Sequence, residues 1–381
     1  NNLSLEGKRK EIQRSKYGVS ENRSKLLPQI NAIAGYSNNF DPPVSVTDGS
    51  SYGVPYNITQ TLQHSANAGL EMQMPLFNQT LYTSMSIAKV MEEISRLSYG
   101  KAREDVILQI SKMYYLGQVT AEQIMLIKAN ITRLEELRDI TQAFFDNGMS
   151  MEVDLKRVNI NLENLKVQYD NAQAMMKQQL NMLKYIMDYP AEKEIALTPV
   201  NTDSITTVAL TGLSENIYEL QLSQSQVQLA ERQKKIITNG YIPSLSLTGS
   251  WRYAAYTDKG YHWFHSGPSN QWFRSYGVGL TLRIPIFDGL DKTYKIKKAM
   301  IDIENKRLAW EDARKNLQTQ YLNAVNDLMN NQRNFKKQKD NYLLAEDVYA
   351  VTSDRYREGI ASMTEVLQDE MQMSEAQNNY I

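Results

Sequence analysis

His262 and His265 in "HWFH" stand three residues apart, a spacing at which two imidazoles can share a metal ion. No acidic cluster accompanies them, and the surrounding residues read as an external loop, so no metal is expected. The chain has no cysteine, which removes disulfides and thiolate metal sites and is compatible with an oxidising compartment. It also lacks a phosphate-binding glycine loop, a nucleophile elbow and a zinc-helix signature. Catalysis therefore has no candidate residue, no cofactor is expected, and the chain does not read as an enzyme. The chemistry that remains is electrostatic. Arg283 in "VGLTLRIPIFDG", Arg252 in "SLSLTGSWRYAA" and Glu71 in "LEMQMPLF" are charges set into segments that otherwise alternate like strands.

Those charges fall on the polar faces of four such segments. In 244–253, Leu245, Leu247, Trp251 and Tyr253 oppose Ser244, Ser246, Thr248, Ser250 and Arg252. In 278–284, Val278, Leu280, Leu282 and Ile284 oppose Gly279, Thr281 and Arg283, until Pro285 stops the alternation. In 65–74, Ala66, Ala68, Leu70, Met72 and Met74 oppose Ser65, Asn67, Glu71 and Gln73. In 29–37, Ile30, Ala32, Ala34 and Tyr36 oppose Asn31, Gly35 and Ser37, with Ile33 as the exception. Each approaches the about 9–11 residues of a tilted membrane-spanning strand. One such strand alone would equally suit a sandwich with a solvated face. Here the aromatics Tyr36, Phe40, Trp251, Tyr253, Tyr256, Trp272, Phe273 and Tyr276 gather at the ends away from the prolines, where an interfacial girdle belongs. No run approaches the roughly 18–20 apolar residues of a membrane-spanning helix. Asn1 reads as the start of a mature or trimmed chain. A net charge of -1 gives no reason to expect nucleic acid.

Long helices must hold these strands. From about Leu81 to Asn147 and from about Leu290 to Glu358 there is no proline, which at 1.5 Å per residue is on the order of 100 Å each. Gly100 and Gly117 leave room for small breaks. Tyr321, Leu328, Phe335, Tyr342, Tyr349 and Tyr356 recur every seven residues, with Leu317, Ala324, Ala345 and Thr352 between them. Leu155, Leu162, Tyr169, Met176 and Leu183 repeat the pattern, supported by Val158, Leu165 and Ala172. A heptad of this kind predicts a coiled-coil seam.

The whole arrangement occurs twice. "KLLPQINAIAGYSNNF" resembles "GYIPSLSLTGSWRYAA", "LEMQMPLFNQTLYTSMSIAKV" resembles "LTLRIPIFDGLDKTYKIKKAM", and "FFDNGMSMEVDL" resembles "RYREGIASMTEVL". Pro28 with Pro243, Pro75 with Pro285 and Gly148 with Gly359 keep a nearly constant spacing of about 210 residues. The first repeat covers 1–187: a helix, strands over 28–40 and 65–76, and a helical hairpin turning at Gly148. The second covers 214–381: a helix, strands over 243–256 and 275–286, and a hairpin turning at Gly359. Between them, 188–213 is a connector interrupted by Pro190 and Pro199. A glycine in the left-handed conformation closes each hairpin. Met149 and Ser150 follow the first turn and Ile360 and Ala361 the second; such small, partly apolar tips either pack on a neighbouring hairpin or dock a partner.

Four strands cannot close a membrane barrel, since the smallest have about eight. An open sheet in lipid would leave two unsatisfied edges, so copies must assemble. Two chains would give eight strands and a filled interior; three would give twelve and a lumen against which Glu71, Arg252 and Arg283 make sense.

At this point the chain resembles the TolC-like outer-membrane efflux protein family along essentially its whole length. The resemblance rests on "LLPQI" and "YIPSLSL" opening the halves, "MPLF" and "IPIFDG" at the strand-to-helix crossings, and "NGMSMEVDL" and "EGIASMTEVL" at the turns. It implies a mixed α and β membrane protein: a homotrimer with a 12-stranded β-barrel in the Gram-negative outer membrane, continued by a long periplasmic α-helical barrel with a small equatorial region. It implies an exit duct for drugs, small molecules or secreted proteins, reached through a periplasmic adaptor from an inner-membrane transporter of the RND or ABC type. It also implies further helix ahead of "NNLSL" and a stretch after "NNYI".

The family closes its periplasmic mouth with acidic residues shortly after the second tip. Glu365 in "MTEVLQD" matches the first of these, Gln368 stands where a second acid is expected, and Asp369 follows it. Tyr356 keeps an aromatic just before the tip, and Ala361 replaces a basic residue sometimes found there. The resemblance thus implies a weaker or differently wired constriction. The competing reading is a non-conducting structural coiled coil or adhesin, which explains the heptads but not four amphipathic strands in duplicate.

Overall fold

The computed structural model describes residues 2–41, 45–48, 50, 53, 58–60, 63–199, 212, 214, 216–257 and 272–381. His262 and His265 lie outside the described residues, as does most of the second half of the 188–213 connector. The order of elements is α1 (Leu3–Ser24), β1 (Gln29–Asn38), β2 (Ser45–Thr47), β3 (Ile58–Gln60), β4 (His64–Phe77), α2 (Gln79–Asp146), α3 (Glu152–Met187), α4 (Tyr218–Asn239), β5 (Ser244–Thr257), β6 (Trp272–Arg283), α5 (Asp291–Arg357) and α6 (Met363–Tyr380). The chain divides into two compact units, one of residues 10–97 and 221–310, the other of 1–9, 98–220 and 311–381.

The first unit holds an antiparallel four-stranded sheet in the order β1-β4-β5-β6, so β4 and β5 join the two repeats and β1 and β6 are left as edges. Its register puts Asn31, Glu71, Ser250 and Gly277 in one row across the sheet, and Ala32, Leu70, Trp251 and Tyr276 in the next. Side chains alternate along a strand, so one face is polar and the other apolar across all four strands. Ile33, the exception in β1, lies directly across from Gly69, where no side chain competes for the space. β6 ends at Arg283, short of the expected 286, whereas β4 runs through Phe77 with a register irregularity between Pro75 and Phe77. A small hairpin of β2 and β3 in the first strand connection has no counterpart in the sequence reading.

Both strand-to-helix crossings set a side-chain oxygen on an amide of the first helical turn, Asn78 from the position next to the helix and Asp288 from ahead of Gly289 and Leu290, whose φ angles are 67° and 68°. Asn78 Oδ1 accepts from the Thr80 and Leu81 amides at the start of α2, and Asp288 Oδ2 accepts from the Lys292 amide at the start of α5. Beneath the sheet, Ala88, Ala230 and Ala299 are buried, as are Thr83 and Asn239, whose side chains meet at 2.6 Å.

In the second unit, α2, α3, α5 and α6 share a core of Ile127, Leu134, Leu137, Val158, Leu162, Leu165, Tyr349, Tyr356, Val366 and Met373 among others. Each fully buried aliphatic side chain there contributes about 1.5–3 kcal/mol. The heptad of α3 sits on this seam, and its next member, Gln179, is also buried. In α5 the seam holds, except that Ala324 is exposed and Val325 is half-buried in its place.

The breaks for which Gly100 and Gly117 leave room do not occur, since α2 is continuous through both. A Cβ at Gly100 would lie 2.4 Å from the Tyr218 ring, and one at Gly117 would lie 2.8 Å from Leu197 Cδ1. These glycines make room for Tyr218 and the connector; they do not interrupt the helix.

Candidate functional site: sheet face, hairpin tips and helix mouth

On the polar face of the sheet, Arg252 and Glu71 form an ion pair, diagonal neighbours across β4 and β5. Arg283 lies on the same face at the end of β6, opposite Ser244. The three charges read from the sequence thus share one surface, lined around the pair by Asn31, Gln73, Thr248, Ser250 and the glycines of β6. At the far end, Tyr36 Oη lies 2.9 Å from His64 Nδ1, and Trp251 and Tyr253 meet edge to face. His64 was missed as part of the aromatic end because one histidine carries no periodic signal.

The two hairpin tips share one backbone. Gly148, at φ 73°, donates to Phe145 O while Met149 donates to Phe144 O; Gly359, at φ 77°, donates to Tyr356 O while Ile360 donates to Arg355 O. This is the Schellman closure, which satisfies carbonyls left open at a helix end. Met149 and Ile360 project, 68% and 62% exposed, whereas Ser150 and Ala361 are half-buried and Ala361 packs on the core. The projecting chemistry is apolar at both tips, Met149 and Met151 after Gly148 and Ile360 after Gly359.

The four mouth candidates are not brought to one point. Tyr356 is buried, 5.5 Å from the Phe144 ring, with its hydroxyl 3.4 Å from Thr141 Oγ1, so it packs the two hairpins together. Glu365 is exposed and belongs to a capping box: Ser362 Oγ accepts from the Glu365 amide, and the Glu365 carboxylate accepts from the Ser362 amide. Gln368 lies in a groove of about 410 Å³ between α3 and α6 with Arg157, Ile160, Asn161, Thr364 and Met371. Asp369 is half-buried. Arg157, which the sequence reading missed, bridges the helices by donating to Thr364 Oγ1 at 3.2 Å while pairing with Asp154. Its only signal was the i, i+3 spacing from Asp154, which is common on any solvated helix.

Because glutamine can fill the acid's place in a capping box, Glu365→Gln separates charge from structure. If the carboxylate constricts the mouth electrostatically, Glu365→Gln is expected to weaken block by multivalent cations with α6 intact. Glu365→Ala should show the same change plus about 1 kcal/mol of lost helix stability. Unchanged cation block in Glu365→Gln removes Glu365 from the mouth.

An amphipathic sheet with two open edges and a pair of long helical hairpins with matched turns are the marks of an outer-membrane protein of mixed α and β structure. The chain belongs to the outer membrane efflux protein family, which it matches over residues 1–187 and 212–381. It is 21% identical over 319 residues to the outer membrane protein TolC of Vibrio cholerae, covering 81% of this chain and 66% of that protein. It is 23% identical over 361 residues to the probable efflux pump outer membrane protein TtgC of Pseudomonas putida, covering 89% and 71%. The chain thus spans about two thirds of the length of the TolC relative. Its fold matches the MtrE outer membrane channel of Neisseria gonorrhoeae with a TM-score of 0.78 at 17% identity, over all of this chain and 82% of that one. Family membership places the chain in the outer membrane. Among the described residues no helix is long and apolar enough to cross a membrane.

Proposed function

We propose that the chain is the outer-membrane exit duct of a tripartite efflux or type I secretion system. It works as a homotrimer and takes drugs, small molecules or proteins from a periplasmic adaptor and an inner-membrane transporter of the RND or ABC type. One observation carries the assembly: α5 and α3 each have more seam than this chain covers. Tyr294, Ile301, Leu308, Leu322, Met329 and Leu343 stand at multiples of seven along α5 and are all exposed. Val153, Ile160 and Val167 do the same on α3. A helix in a closed ring has two neighbours and needs two seams, so the second awaits another copy. The open edges of β1 and β6 ask for the same closure, and three copies supply twelve strands and a lumen lined by Glu71, Arg252 and Arg283. Glu365, Gln368 and Asp369 would then narrow the periplasmic mouth, with Tyr356 holding the hairpins behind it. The tips at Gly148, Met149 and Ser150 and at Gly359, Ile360 and Ala361 would meet the adaptor, six tips to a trimer.

The test is the mass of the purified full-length protein in mild detergent together with its single-channel conductance in a planar bilayer. A trimer that conducts, with conductance rising when the mouth is mutated, is the expected result. A stable monomer or dimer overturns the stoichiometry. A trimer that never conducts favours a structural or adhesive role.

A further inference from the structure

Between α2 and α6 the apolar core is interrupted by a layer of polar side chains that nothing above uses. Asn130 of α2 donates to Gln377 Oε1 of α6 at 3.0 Å and to Ser374 Oγ at 3.5 Å, and accepts from Arg133. One turn before Ser374 and two before Gln377, Glu370 is 5% exposed, and its Oε1 is buried without a hydrogen-bond partner. Arg133 Nε is likewise buried and unpartnered, and the Arg133 charge acts on Glu370 without a hydrogen bond to its Oε1. Unpaired polar atoms at this depth are costly, so the layer is a weak point in the packing rather than a source of stability.

The groups facing Glu370 come from two helices. α2 presents Arg133, and α5 presents the buried Tyr349. Glu136 of α2 and Glu346, Asp354 and Arg357 of α5 line the adjoining cavity of about 290 Å³ with Arg133 and Tyr349. On α3, Asp154 and Arg157 are engaged with each other and with Thr364, nearer the start of α6. Burial raises the Glu370 carboxyl above its ordinary 4.5, and the Arg133 charge opposes this without reversing it. Burial also raises the Tyr349 hydroxyl, so Tyr349 stays neutral where Glu370 changes state.

We propose that this layer is a proton-sensitive lock between α2 and α6: the helices stay packed while Glu370 is neutral and part at this level when it ionises. An ionised Glu370 in this dry layer must be hydrated, and the water it needs enters only if the α2–α6 contact opens around the unpartnered atoms and the Asn130–Gln377 bond; attraction to Arg133 opposes that opening without cancelling it. The sign follows from linkage. A carboxyl whose value is raised in the packed state stabilises that state fully below its ordinary value, and the stabilisation is lost as pH rises through the raised one. Acid therefore tightens α6 on α2, and alkali releases it.

The chain has no cysteine, so a labelled pair at the exposed positions Lys128→Cys and Gln372→Cys, in assemblies diluted with unlabelled chains until labelled copies rarely meet, reports this contact. Distances between spin labels in the purified full-length protein are to be followed by pulsed electron resonance from acid to alkaline pH. The unmodified layer is expected to give a narrow distribution in acid that lengthens or broadens with a single titration. Glu370→Gln should keep the narrow distribution throughout, and Arg133→Gln should move the transition to higher pH by removing the opposing charge. A distribution that does not change with pH overturns the lock, as does a transition that persists in Glu370→Gln. Because the readout is a distance, it is decided separately from whether the protein conducts.

Discussion

Gly359→Glu is expected to abolish adaptor-dependent export while the trimer still assembles, inserts and conducts. Gly359 holds φ at 77°, where any residue with a Cβ is strained, but a Cβ built there meets nothing within 4 Å. The cost is thus confined to the backbone, about 1 kcal/mol, and does not reach the core behind Tyr356. What changes is the surface: a long charged side chain stands beside Ile360, where another protein's helical hairpin would approach. Gly359→Asn is the control, because asparagine tolerates the left-handed conformation and adds no charge. It should export near normally. Gly148→Glu should repeat the loss at the first tip, whose backbone closure is the same. Export and adaptor capture measured on the same cells decide the matter. If both glutamate variants export normally with adaptor binding unchanged, the tips only close the hairpins, and docking belongs to the sides of the helices.

Gly69→Val should prevent assembly altogether. A Cβ at Gly69 would lie 2.3 Å from the Trp251 carbonyl oxygen and 2.8 Å from Arg252 Cα, both part of the paired backbone of β5. Backbone in a ladder cannot step aside as a flexible side chain can, so β4 and β5 must separate at the pair that joins the repeats. Gly249→Ala is the matched control: its new Cβ would meet the end of Met72 at 3.3 Å, which can rotate away. The expected result is loss of the heat-modifiable oligomer from outer-membrane fractions for Gly69→Val and its retention for Gly249→Ala. Normal oligomer from Gly69→Val would mean that the close approach of β4 to β5 is not required in the assembled sheet.

The strands and seams were legible because each rests on a period that the chain repeats many times, two for the sheet and seven for the helices. Leu162 and Val158 are buried where their heptad puts them. Gly100 and Gly117 misled because propensity treats glycine as a weak point in a helix. Whether it breaks there depends on what packs beside it, and Tyr218 and Leu197 come from more than 75 residues away in sequence. Glu365 was visible twice over: "SMTE" is a capping-box pattern, yet only its charge was read. The polar layer was hidden for a different reason. Asn130, Arg133, Glu370 and Gln377 look like ordinary solvated positions until α2 and α6 are laid together.

The order of strands in the sheet has a consequence for ancestry. β4, the second strand of one repeat, pairs with β5, the first strand of the other. In a closed ring, β6, again a second strand, would meet β1 of the next copy, again a first. The covalent chain therefore contains an internal rehearsal of the junction it makes with its neighbours. A half-length precursor with one hairpin and two strands would have needed only that single junction, used six times around the pore. Fusion of two such genes would then have halved the number of subunits while freeing the two halves to diverge, as Ser362 and Glu365 cap α6 where Met151 leaves α3 without a side-chain cap.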